Sequence, residues 1–236
     1  MTTTVNLLLY DCERIGHPTS LEQILETMLD MGFSVNMLQV GSFAYESFAF
    51  WREYDERARS EFDIAYDKQQ LSFVARDNLS YIVATVKIGW TWSTSGQPKR
   101  AHILLEAGSP TTMFTQKEYD PERHAQRFLE VGIRLYQLVR PAFGWIERCK
   151  PSGYTTWKDI ENLVVPHIYW ANFFGPAYVA RMGRDFLLKA PGWRSESLID
   201  KGILYVLAPS LVRGDHKSTS ERVRQYFGNV TVRHTK

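Results

Sequence analysis

Residues able to do chemistry are spread thinly along this chain. The six histidines, His17, His102, His124, His167, His216 and His234, stand singly. His102 and Glu106 come nearest to a metal-ligand pair. Their spacing puts both on one strand face roughly 13 Å apart, too far for a shared ion. Cys12 and Cys149 are the only cysteines, so there is neither a disulfide framework nor a C-x-x-C pair. A nucleophile would need a base beside it, and the spacing supplies none. No phosphate loop, dinucleotide fingerprint, H-E-x-x-H or G-x-S-x-G elbow occurs. Carboxylate pairs such as Asp11/Glu13, Asp55/Glu56 and Asp159/Glu161 are too commonplace to mark acid–base work. The expectation is a protein with no catalytic residues, no metal and no cofactor.

Binding chemistry has better candidates. The chain holds 13 Phe, 12 Tyr and 7 Trp, and Tyr and Trp favour half-wet places, interfaces included. Trp51 and Tyr54, flanked by Arg52, Glu53, Asp55 and Glu56, lie in a segment too polar for a core. Trp90 and Trp92 sit beside the turn cluster "STSGQP". A few desolvated Trp, Tyr and Arg anchors usually carry interface energy, so these four are the expected partner-binding residues. The competing reading is that the rings cover core edges.

Charge adds a constraint. The 236 residues carry a formal +2, distributed unevenly. From Ser210 to Lys236 six basic residues face two acids, a net +4, which leaves −2 for the remainder. Glu46 to Asp67 holds seven acids against three arginines. Solvated faces explain most such runs. Arginines with Tyr226 and Phe227 could touch nucleic acid, but the acidic balance elsewhere disfavours it. The start, "MTTTVNLLLYDCERIG", lacks a basic segment, and its apolar run is short. The expectation is a cytoplasmic protein with no membrane partner.

The elements that must position these residues read as a mixed chain. "VNLLLYD" is a buried strand. "HPTSLEQILETMLDMG" is a helix capped by Thr19 or Ser20 and stopped by Gly32, and "FSVNMLQV" follows as a strand. That order opens like an α/β layer. "FDIAYD", "LSFVAR", "YIVATVKIGW" and "AHILLEAG" are strands, the last two paired across "STSGQP" as an antiparallel hairpin. "DPERHAQRFLEVGIRLYQLVR" is a helix begun by Asp120 and Pro121. "FGWIERC", "VPHIYWANFF" and "GILYVLAP" are further strands, with short helices over 176–189. The fold class expected is α+β: a mostly antiparallel, aromatic-lined sheet with helices packed on it. The two halves are alike enough in content to allow structurally similar halves. No Gly-, Ser- or Pro-rich linker divides the chain, so 1–209 reads as a single domain. Residues 210–236 read as a polar, basic, loosely attached tail, with "TSERVRQYF" able to form a last helix.

The stretch "WANFFGPAYVARMG" is the most distinctive. Gly175 allows a tight change of direction, Pro176 suits a first helical turn, and Gly183 stops the helix. Asn172, alone among apolar neighbours, needs a hydrogen-bond partner if buried. These four are expected to be architectural.

"YQLVRPAFGWIE", followed by "YWANFFGPAYVARMGRDFLLKAPGWRSESLIDKGILYVL", resembles the C-terminal pattern of immunity proteins from bacterial polymorphic-toxin and type VI secretion systems. The immunity protein 52 family is the nearest. The resemblance covers about residues 134–208 and contains nothing catalytic. It implies an α+β protein that neutralises a cognate toxin by protein–protein contact inside the producing cell. A pI of about 8.5 argues against a basic nuclease as the target, a conflict that a different target or local use of the acidic Glu46 to Asp67 segment removes. The alternative is an enzyme, hydrolase-like, whose site is assembled from Asp, Glu and His only by folding.

Overall fold

A computed structural model of the 236-residue chain describes residues 4–12, 18–40, 43–45, 71–77, 82–91, 100–107, 121–149, 155–211 and 216–228. Within these, β1 (Thr4–Cys12) is the strand on which the rest is built. It pairs antiparallel with β6 (Arg100–Ala107) on one side and with β7 (Pro141–Cys149) on the other. Beyond β6 follow β5 (Ile82–Thr91), β4 (Leu71–Asp77), β2 (Phe33–Val40) and β3 (Phe43–Tyr45). Beyond β7 follow β8 (Ala171–Phe174), β10 (Ile203–Val206) and β9 (Arg194–Ser197). The described residues thus form one ten-stranded sheet, antiparallel at every pairing. The two halves of the chain supply contiguous parts of it.

Around β1, β7, β8 and β10 the sheet is covered on both faces, which is why these strands read as nearly unbroken apolar runs. Val5, Leu7 and Leu9 point to one face with Ile103, Leu105, Ile146 and Phe173. There they meet α1 (Pro18–Asp30) through Ile24, Leu25 and Met28. They also meet α2 (Pro121–Val139) through Phe128, Leu129, Leu135, Tyr136 and Val139. Leu8 and Tyr10 alternate to the other face with Phe143, Trp145, Phe174, Ile203 and Tyr205. Over that face lie α3 (Trp157–Glu161), α4 (Pro176–Met182), α5 (Arg184–Leu188) and α6 (His216–Phe227). Rings dominate this layer: Trp145 stacks on Tyr169 at 4.6 Å, and Phe143 lies 5.2 Å from Tyr178 and 5.6 Å from Phe174.

Four sequence expectations change. The opening strand, helix and strand are not neighbours, because β6, β5 and β4 intervene between β1 and β2. α1 starts at Pro18, so Thr19 and Ser20 lie inside its first turn; proline's fixed φ is ready for that position. The strand expected over "VPHIYWANFF" is confined to Ala171–Phe174, since the Asn172 side chain holds the chain in a loop just before it. Finally, much of the basic tail is anchored. In α6 Val223 and Phe227 are buried, Tyr226 stacks on Phe186 at 4.5 Å, and its hydroxyl donates to the Phe186 carbonyl at 2.8 Å. "FDIAYD" and Asp120 lie outside the described residues.

Candidate functional site

The corner formed by residues 169–183 is built from side chains satisfying backbone. Asn172 is fully buried on β8, opposite Tyr205 of β10 and Trp145 of β7. Its Oδ1 accepts the Tyr169 N–H at 3.0 Å, and its Nδ2 donates to the Tyr169 carbonyl at 2.8 Å. One side chain thereby replaces both partners a strand neighbour would have given Tyr169. The Tyr169 hydroxyl accepts the Thr155 N–H at 3.1 Å and lies 2.9 Å from Thr155 Oγ1. Tyr10 in turn donates to the Thr155 carbonyl at 2.8 Å. This polar line ties β1, the start of α3 and the β8 loop together beneath the aromatic layer.

Gly175 and Gly183 serve this corner for different reasons. Gly175 has φ −72°, which any residue adopts. What it lacks is a Cβ, which would stand 2.6 Å from the carbonyl oxygens of both Pro141 and Ala142. Pro176 occupies the first turn of α4, where no N–H is needed. Gly183 closes α4 and opens α5 at φ +95° and ψ 127°, with ample space around an added Cβ. Its constraint is backbone conformation alone. Gly183→Val is therefore expected to lose more than about 1 kcal/mol of stability, measured by denaturant unfolding. An unchanged melting temperature with altered binding would instead assign this stretch to function.

Titratable groups are sparse near these elements. His102 lies on β6 opposite Tyr10, its ring 5.8 Å from Trp157, and burial pushes its pKa below the usual histidine value. Its Nδ1 has no hydrogen-bond partner among the described residues. Burial likewise pushes the Tyr205 hydroxyl well above its ordinary range, keeping it a donor to the Pro191 carbonyl at 2.7 Å. No group of three or more His, Cys, Asp or Glu among the described residues could hold a metal ion. No described helix is long and apolar enough to cross a membrane.

Of the four expected partner-binding residues, Trp90 stands in β5 opposite Ala101 of β6. Trp51, Tyr54 and Trp92 lie outside the described residues. Among the described residues two large apolar side chains are exposed, and sequence reading had singled out neither: Trp193 (47%) and Ile199 (69%). Trp193 lines a hollow of about 320 Å³ with Pro191, Gly192, Leu207, Pro209 and Arg222. The signal for it was present in "APGWRSES", where Pro-Gly punctuation sets the tryptophan on a loop. Between Trp193 and Ile199 runs β9, the last strand of the sheet in its described order. Leu198, the residue after β9, donates its N–H to the Gly202 carbonyl at 2.8 Å, so Arg194 and Glu196 face β10, while Trp193 just before the strand also turns its N–H inward, to the Val206 and Leu207 carbonyls. Ser195 and Ser197 then direct their N–H and C=O groups outward. A ring, a strand edge and a second apolar side chain are what another polypeptide can use.

No protein-family model and no curated sequence matches the chain. Among solved structures it is similar to the Pseudomonas aeruginosa T6SS protein PA0821, with a TM-score of 0.54. The match covers 97% of this chain and 73% of that one at 12% sequence identity. At that identity the likeness is one of fold, extending through both halves of the sheet.

Proposed function

We propose that this chain is a non-catalytic, immunity-type protein that neutralises a cognate toxin by protein–protein contact inside the cell that makes both. The observation that carries this is the fold it has in common with a T6SS protein over nearly its whole length. The C-terminal pattern that resembles immunity proteins adds support, because those residues fold as one consecutive unit. β7, β8, β9 and β10, with α4 and α5 between them, contain architectural residues throughout. A fold alone does not specify function, so the proposal turns on a surface.

That surface centres on Trp51, Tyr54, Trp90 and Trp92, in the half of the chain that the resemblance leaves uncommitted. Removing one aromatic anchor from an interface typically costs about 2 kcal/mol or more, close to 30-fold in affinity. Trp51→Ala and Trp92→Ala are therefore expected to weaken binding to the toxin encoded beside this protein, and to lower survival when that toxin is co-expressed. Full protection by both variants would remove this surface assignment. Turnover of a substrate by the purified chain would remove the non-enzyme reading altogether.

A further inference from the structure

We infer that two copies of this chain associate through β9, continuing the sheet across a two-fold axis. The serine hydroxyls of Ser195 and Ser197 bond Leu187 and Arg184 of the same chain, but their outward backbone N–H and C=O groups meet no strand among the described residues. Unpaired strand edges are templates for another strand, and here the residues around the edge are self-complementary. Trp193 and Ile199, the two exposed large apolar residues, stand three positions either side of Glu196. Ser195 and Ser197 stand one position either side.

An antiparallel pairing centred on Glu196 sets Ser195 of one copy against Ser197 of the other, twice. Each pair exchanges N–H···O bonds, and beyond the strand ends Trp193, whose own N–H is held by the Val206 and Leu207 carbonyls, comes to the side of the partner copy's Ile199 in the turn after β9. Registers centred on Ser195 or Ser197 leave those apolar residues unmatched. Charge fits as well. Arg194 holds Glu196 of its own chain through two bonds of 3.0 and 2.7 Å. In the pairing the two Glu196 side chains face each other across the axis, a repulsion offset by each one's own Arg194 and by the partner copy's arginine lying diagonal to it, so that two arginines and two glutamates form a cluster of zero net charge. β9 lies at the opposite end of the sheet from β2 and β3, so this association leaves that edge free. The inference does not use the toxin reading.

Glu196 occupies the axis, where facing residues have Cα atoms about 4.5 Å apart, within disulfide range. Mild oxidation of purified Glu196→Cys is expected to give a covalent dimer, whereas Lys189→Cys, exposed beyond α5, stays uncrosslinked. Wild-type protein, followed by light scattering over a concentration series, should approach twice its 27.4 kDa chain mass. Ser195→Pro removes an outward N–H together with the Ser195 hydroxyl's bond to the Leu187 carbonyl, and Ile199→Asp changes an exposed residue in the turn after β9. Each should raise the dimer dissociation constant at least about tenfold, roughly the loss of 1.4 kcal/mol, with the melting curve of the dilute protein unchanged for Ile199→Asp and, for Ser195→Pro, matching that of Ser195→Ala, which leaves the dimer intact. A chain monomeric at every concentration, with Glu196→Cys uncrosslinked, overturns the inference. So does a dimer that both substitutions leave intact.

Discussion

Asn172→Leu is expected to destabilise the protein by about 2–6 kcal/mol, because it strands two buried backbone groups worth about 1–3 kcal/mol each. Leucine shares the branched skeleton of asparagine, although it is bulkier, and suits the apolar surroundings, so side-chain transfer alone would favour it. The loss comes from Tyr169, whose N–H and C=O both bond to Asn172. Urea unfolding followed by tryptophan fluorescence would measure the effect, with Trp145 and Trp170 both buried in adjoining layers. Asn172→Asp makes a useful companion, since it keeps the acceptor for the Tyr169 N–H while losing the donor. A leucine variant within about 0.5 kcal/mol of wild type, the range of featureless surface changes, would show that the loop repacks without its asparagine.

Gly175→Ala should be the most damaging single methyl group in the corner. An added Cβ meets two carbonyl oxygens of β7, and backbone cannot swing aside as the end of a side chain can. Moving it lengthens the Gly175 N–H bond to the Ala142 carbonyl, now 2.9 Å, and displaces the start of α4. Overpacking of this kind typically costs about 1–3 kcal/mol, or a melting temperature lower by roughly 2–4 °C for each kcal/mol in a chain of this size. Gly183→Ala separates the two uses of glycine. It has room for the methyl group but not the favoured φ, so its loss should track backbone strain rather than crowding. If Gly175→Ala melts with the wild type, the close approach to β7 is softer than the geometry requires.

Much of the local structure was legible from residue pattern. The two-residue period of "YIVATVKIGW" and the turn chemistry of "STSGQP" identified the β5–β6 hairpin, because strand neighbours joined by a short loop have little choice of partner. The stripe of Phe128, Leu129, Ile133, Leu135, Tyr136 and Val139 marked α2, because 3.6-residue spacing leaves one apolar face to bury; of these Ile133 is only partly buried. Asn172 stood out because a buried amide in an apolar run demands a partner. That Tyr169 is the partner was not legible: it depends on the chain leaving the sheet three residues earlier.

What the sequence determined by itself is therefore the set of elements, their apolar faces, and the punctuation at Gly175, Pro176 and Gly183. Tertiary structure alone decided that β1 lies between β6 and β7, strands roughly a hundred residues or more away along the chain. It also decided that "TSERVRQYF" docks as α6 over the aromatic layer, and that Trp193 and Ile199 are left in solvent. A strand's own residues specify which faces must be buried but not which distant edge will pair with it. Backbone hydrogen bonds are nearly the same for every pairing, so the choice among edges falls to the packing of both faces at once.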